Sequence, residues 1–211
     1  MISKKELLKD SLVCVILDRE TLEKSMMLRT AEKALRGGAD MIQLRDKRSS
    51  TIEVIETALA LRRLTKRYGA SLIINDRVDA AFAVDSDGVH IGRSDLSLKT
   101  CRELLGPGKI IGASAASLND ARRAKAIGAD YIGVGPVFRT PIKASAKACG
   151  IGLLKKVRAL RIPIMAIGGI DSCNISVLTE SGFRSVAVIR AVLLSKDPLA
   201  ATKKLKEAIT I

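Results

Sequence analysis

A single (β/α)8 barrel, an α/β fold with an eight-stranded parallel core, is predicted for this 211-residue chain by three observations. Eight short apolar runs alternate with longer amphipathic segments from one end to the other. The runs are rich in Val, Ile and Leu and alternate only weakly, as strands covered on both faces of a parallel sheet do. A length of about 200 residues is near the lower limit for eight βα units. A doubly wound open sheet is the competing arrangement, and strand counting does not separate the two.

The charged start is expected to make residues 1–11 a helical segment ahead of the barrel. The apolar runs are 12–17, 41–44, 71–74, 88–91, 110–114, 131–138, 162–167 and 185–189. After the second run, Ser50 and Glu53 stand at capping-box spacing, with Ile52, Ile55 and Leu59 at helical intervals. Segment 78–84 has room for no more than two turns. Ser117 to Asp120 opens a further helix containing Ala121 and Ala124, and Gly128 closes it. Asp197 before Pro198 pairs an N-cap with proline at the first helical position, starting the last helix. No linker rich in Pro, Gly or Ser interrupts the pattern, so residues 1–211 read as one domain.

Hydrophobic residues make up 47% and charged residues 27%, a globular composition. No stretch reaches 18 uninterrupted apolar residues, which excludes a transmembrane helix. Run 12–17 is too short for a signal-peptide core, so a cytoplasmic location without a membrane partner is expected. Lys and Arg total 36 against 22 Asp and Glu, a formal net charge of +14. Such a surplus draws anions: nucleic acid, an acidic membrane or phosphorylated small molecules. Three Phe, two Tyr and no Trp offer few stacking platforms for single strands. Four cysteines without a CxxC pair, and one histidine, form no zinc pattern, so the thiols are expected reduced. A homo-oligomer is compatible with all of this.

A barrel carries its chemistry at the C-terminal ends of its strands. After the second run, Gln43, Arg45 and Lys47 share one face. Buried polar groups aimed inward need a charged ligand; the alternative is a solvated strand end with ion pairs to Asp46 and its neighbours. The third and fourth runs lead to Asn75-Asp76 and to Asp95. Two carboxylates plus ligand oxygens suit Mg²⁺ beside a phosphorylated substrate; the competing reading makes Asp95 a helix cap. His90, between Val89 and Ile91, is expected to support neighbouring strand ends by hydrogen bonds. Ser114 ends the fifth run. Stretch 139–150 is longer than most βα connections and reads as a basic lid carrying Arg139, Lys143 and Lys147. Gly168-Gly169 lets backbone approach an anion, and the eighth run ends at Ile189-Arg190, where barrels recurrently bind phosphate.

QLRDK (43–47), IINDRVD (73–79), DGVHIGRSDL (87–96), IIGAS (110–114), GADYIGVGPVFRT (128–140) with Lys143, and IPIMAIGGI (162–170) together resemble the thiamine-phosphate synthase family. The resemblance implies an aminopyrimidine methyl diphosphate that first loses pyrophosphate. The nitrogen of a thiazole phosphate then attacks the freed methylene. It further implies that Gln43, Arg45, Lys47 and Asn75 hold the pyrimidine diphosphate, and that Ser114 and Lys143 grip its pyrophosphate. Lys143, Arg45 and Ser114 would carry the catalytic stabilisation. Asp76 and Asp95 would ligate Mg²⁺, while Thr140, Gly169 and Ile189 would form the thiazole-phosphate site.

The chain departs from the family pattern at several places. Arg93-Ser94 replaces a usual Gln-Glu, and Ala115-Ala116 an often-seen Thr-His. Ile142 replaces a threonine, and Arg190 replaces a serine, where a charge-assisted phosphate contact would substitute for lost hydroxyls. The sister group of thiazole tautomerases is the nearest alternative. A non-catalytic basic protein that binds nucleic acid is the alternative of a different class, although no nucleic acid is expected as partner.

Overall fold

The computed structural model describes residues 8, 11–93, 95–141 and 147–210. The expected N-terminal helix lies outside them except at Leu8 and Ser11, and so does Lys143. Eight strands form a closed barrel in chain order. They are β1 (Val13–Asp18), β2 (Met41–Arg45), β3 (Ser71–Asn75), β4 (Gly88–Ile91), β5 (Ile110–Ala115), β6 (Tyr131–Val134), β7 (Ile164–Ile167) and β8 (Val186–Val188). Every neighbouring pair is parallel, and β8 closes onto β1. Closure removes the open-sheet alternative.

Three strands are shorter than their apolar runs: β6, β7 and β8, the last of which keeps only Val186–Val188 of run 185–189. β6 stops at Val134 because Pro136 has no N–H to give to the ladder. β7 starts at Ile164, just after Pro163, for the same reason.

The helices are α1 (Lys24–Arg36), α2 (Thr51–Tyr68), α3 (Val78–Ala83), α4 (Leu98–Leu105), α5 (Leu118–Ala126), α6 (Gly150–Arg158), α7 (Ile175–Glu180), α8 (Arg190–Leu193) and α9 (Pro198–Thr210). α2 begins in the expected capping box: the Glu53 N–H donates to Ser50 Oγ at 3.4 Å and the Ser50 N–H to Glu53 Oε2 at 3.0 Å. It buries Val54, Thr57, Ala58, Leu61 and Thr65, one helical stripe laid on the sheet. Ser117 caps α5 by accepting from the Asp120 N–H at 3.1 Å. In α9, the Leu199 N–H donates to Asp197 Oδ1 at 3.1 Å.

The apolar interior has two parts. One lies between sheet and helices; the other fills the barrel, with Cys14, Ile16, Met41, Ile73, Ile110 and Tyr131 among its members. At the foot of the barrel an aspartate precedes each of three even-numbered strands. Asp40, Asp87 and Asp130 accept from the N–H groups of Val13, Leu72 and Ile111. Each also binds a cation: Lys206 at 2.7 Å, Arg62 at 2.6 Å and Arg102 at 2.6 Å. The foot is therefore stitched shut, which leaves the opposite end as the mouth.

Candidate active site

Parallel register sets the residues of the mouth. It places Asp18 beside Arg45, Asn75 beside His90, and Ser114 beside Gly133. A cavity of about 490 Å³ opens there, with Gln43, Arg45, Asn75, Ser114, Thr140, Gly169, Ile189 and Arg190 in its wall. Ile16, Met165 and Ala187 contribute an apolar floor. Side chains dispersed over the whole sequence thus converge on one opening.

The alternation in β2 points Gln43 and Arg45 into the cavity; Gln43 is only 3% exposed. Arg45 does not pair with Asp46. Its Nη1 donates to Asp18 Oδ1 and, at 2.8 Å, to Glu20 Oε2. Asp46 lies on the other face, where its Oδ1 accepts from the Arg48 and Ser49 N–H groups, both at 3.0 Å. Lys47 is half-exposed and turns to Asp76 Oδ2 at 3.1 Å.

Asp76 adopts a left-handed backbone conformation, φ 61°, at the tip of β3. Strain of this kind costs about 1–3 kcal/mol and is kept where the surroundings over-determine it. Here they do. Asn75 Nδ2 donates to Asp76 Oδ2 at 2.6 Å, and the Gly92 N–H to Oδ1 at 3.3 Å. Asp95 hydrogen-bonds to Asp76. Helix α4 is capped by Ser97, which accepts from the Thr100 N–H at 3.1 Å, so capping does not explain Asp95.

Burial opposes ionisation of Asp76, but hydrogen bonds from Asp95, Lys47 and Gly92 outweigh it and hold the carboxyl below its ordinary range. Burial first, and then the neighbouring Asp76, push Asp95 upward. Of the two carboxyls, Asp76 is therefore the more readily ionised. Around the tips of β1 to β4, Arg45 and Lys47 thus pair with Asp18, Glu20 and Asp76, with Asp95 beside Asp76.

Hard carboxylate oxygens of this kind fit Mg²⁺, which takes one or two carboxylates and completes its shell with waters and phosphate. Gly92 keeps the place open, because a Cβ there would run into Asp95 Oδ2. Among the described residues no group of three His, Cys, Asp or Glu converges. Two carboxylates suit a cation that completes its shell with water and ligand oxygens better than they suit an all-protein cage.

His90 supports its neighbours as its place in β4 led us to expect. Its Nδ1 lies 2.9 Å from Tyr131 Oη and its Nε2 2.9 Å from Ser114 Oγ. Across the cavity, Gly168 and Gly169 have φ of 100° and 67°. Side chains there would overlap Pro136 and the Arg139 carbonyl, so close chain approach by itself requires both glycines. Thr140 and Pro141 extend this wall, and Arg190, the first residue of α8, completes it beside Ile189. Ile142 and Lys143 lie outside the described residues; Arg139 and Lys147 are exposed.

Sequence reasoning missed Asp18, Glu20 and Tyr131. The first was findable: it ends β1, and the strand-end rule applied to the second to eighth runs applies equally to the first.

A family model described as thiamine monophosphate synthase matches residues 13–192, which include all eight strands. A thiamine-phosphate synthase of Desulfitobacterium hafniense is 42% identical over 193 residues, covering 90% of this chain and 93% of that protein. One of Ruminiclostridium cellulolyticum is 40% identical over 199 residues, covering 94% and 95%. Among solved structures, a thiamine phosphate pyrophosphorylase from Pyrococcus furiosus superposes with a TM-score of 0.88. It is 37% identical, with 98% of both chains covered. These likenesses favour neither the tautomerase-like nor the nucleic-acid-binding alternative. With a matching model that spans every strand, the chain belongs to the thiamine monophosphate synthase family, transferases of thiamine biosynthesis.

Proposed function

We propose that this chain joins 4-amino-2-methyl-5-pyrimidinylmethyl diphosphate to a thiazole phosphate, giving thiamine phosphate and pyrophosphate by a dissociative route. The observation that carries this reading is the convergence of eight strand-end residues, several charged or polar, on one cavity above an apolar floor. Its volume, about 490 Å³, is within the usual range for small-molecule sites.

In this reading Gln43, Arg45, Lys47 and Asn75 hold the pyrimidine diphosphate, while Ser114 and Lys143 grip the part that leaves. Asp76 and Asp95 would hold Mg²⁺, which when bound offsets the diphosphate charge and so supports its departure. Thr140, Ile189, Arg190 and the Gly169 backbone receive the thiazole phosphate. The carbon–oxygen bond to the diphosphate breaks, and its electron pair leaves with the pyrophosphate. The aminopyrimidine ring then carries the positive charge at its methylene. The thiazole nitrogen donates its lone pair to that carbon.

The protein's work is therefore positioning and electrostatics. The attacking nitrogen bears no proton, so no general base is needed. Engagement of both His90 ring nitrogens by Tyr131 and Ser114 suits such chemistry. We assign the activity to the cytoplasm; among the described residues no helix is long and apolar enough to cross a membrane.

The test is the two-substrate reaction. Purified protein with Mg²⁺ should yield thiamine phosphate and pyrophosphate in equal amounts, and EDTA should stop it. Formation of product at an undiminished rate in EDTA would remove the metal assignment. No product with either thiazole phosphate or its carboxylated form would remove the reaction.

A further inference from the structure

Arg45 has two anionic partners where anchoring needs one. Asp18 and Glu20 both accept from Nη1, but they are unlike. The Asp18 side chain is 1% exposed, ends β1 in register with Arg45, and has its second oxygen fixed by Thr21 Oγ1 at 2.8 Å. The Glu20 side chain is 50% exposed and belongs to the connection between β1 and α1. Lys47 and Arg48 add their positive field to that of Arg45 around its carboxylate. A solvent-facing anion thus sits on the cluster that the proposed function gives to a diphosphate.

We propose that Glu20 is an intramolecular counter-anion that exchanges with the diphosphate on Arg45. It occupies the guanidinium in the empty site, swings aside when the pyrimidine diphosphate enters, and returns as pyrophosphate leaves. The inference rests on the assignment of Arg45 to the diphosphate.

The backbone around Glu20 makes this a side-chain motion. The Arg19 N–H donates to the Arg45 carbonyl at 2.9 Å, and the Thr21 and Leu22 N–H groups donate to the Asp18 carbonyl at 3.0 and 2.9 Å. Both sides of Glu20 are therefore pinned to the strand tips while its half-exposed side chain reaches Arg45 from the solvent side. Asp18 keeps the guanidinium in place throughout the exchange. Neither carboxylate contact uses Nη2 or Nε, and those N–H groups suit a bidentate grip on phosphate oxygens. Because Glu20 competes with both substrate and product, it weakens diphosphate binding at both stages and so speeds product release.

The experiment is calorimetric titration of inorganic pyrophosphate, with Mg²⁺, into the full chain and three variants. Glu20→Gln should bind about three- to fivefold more tightly, the size expected when one half-exposed competing charge is removed. Glu23→Gln is the control for net charge: its side chain is 75% exposed and faces Arg19, so affinity should stay within about 1.5-fold. Arg45→Ala should bind more weakly. If Arg45→Ala weakens binding while Glu20→Gln is unchanged or weaker, the exchange is overturned and the diphosphate assignment stands. Equal tightening in Glu20→Gln and Glu23→Gln also overturns it, since the effect would then be one of net charge. An Arg45→Ala chain that binds like the parent overturns both ideas.

Discussion

Ser114 shows how one hydroxyl becomes a directed donor. Tyr131 is fully buried, and burial pushes its phenol well above the ordinary range, so it keeps its proton. His90 Nδ1, at 2.9 Å, is positioned to accept that proton in a hydrogen bond. In the neutral imidazole Nε2 then bears hydrogen and donates to Ser114 Oγ. Ser114 must turn its own hydrogen elsewhere, and it lines the cavity. Tyr131→Phe removes the first link and frees the tautomer. We expect kcat/KM to fall about tenfold and stability to fall by about 0.5–1.5 kcal/mol, the net contribution of one hydrogen bond. A double-mutant cycle separates the two effects. In a Ser114→Ala background the kinetic loss should vanish while the stability loss persists; additive kinetic losses would refute the chain of donors. Only part of this was readable beforehand. Alternation between Val89 and Ile91 placed His90 in a strand, but its partner Tyr131 is 41 residues away, beyond any local pattern.

Elements with local signals were the most legible. The Ser50–Glu53 box, the Ser117 cap and Asp197-Pro198 each act within four residues, and each is seen in the structure. Ser97 shows the limit: both it and Asp95 suit a cap, and only the packing of Asp95 against Asp76 separates them. The α2 cap gives a pH prediction. Glu53 is lowered from 4.5 to about 2, first by its hydrogen bond with Lys24 and then by Ser50. A depressed folded-state pKa stabilises the fold above the unfolded value. That contribution is therefore complete above about pH 4.5 and is lost as pH falls toward 2. NMR titration should place the Glu53 midpoint near pH 2, and Lys24→Ala should move it upward. A midpoint near 4.5 in the parent chain would show that the cap and ion pair do not hold in solution.

At the scale of the whole molecule, eight strands could be counted from the sequence because each is a local apolar run. Closure could not, because it depends on β8 meeting β1 from opposite ends of the chain. Closure also divides the barrel into a foot and a mouth with different tasks, and two aspartates test that division. Asp130, at the foot, holds the Ile111 N–H at 2.8 Å and Arg102 at 2.6 Å, and does not itself line the cavity. Asp130→Ala should lower unfolding free energy by about 1.5–3 kcal/mol, the range for hydrogen bonds to a charged group. Its kcat/KM at 25 °C should stay within about twofold of the parent. Asp76, at the mouth, presses against Asp95 in a left-handed conformation that Asn also tolerates. Asp76→Asn relieves the crowding of two carboxyls and forfeits a pair with the half-exposed Lys47, so stability should fall by no more than about 1 kcal/mol. Activity should drop roughly 10²-fold, as when a preorganised charge at the reacting centre is lost. Denaturant unfolding and steady-state kinetics on the same two variants decide the matter. The division fails if Asp130→Ala costs activity in proportion to stability, or if Asp76→Asn destabilises the fold as much as Asp130→Ala does.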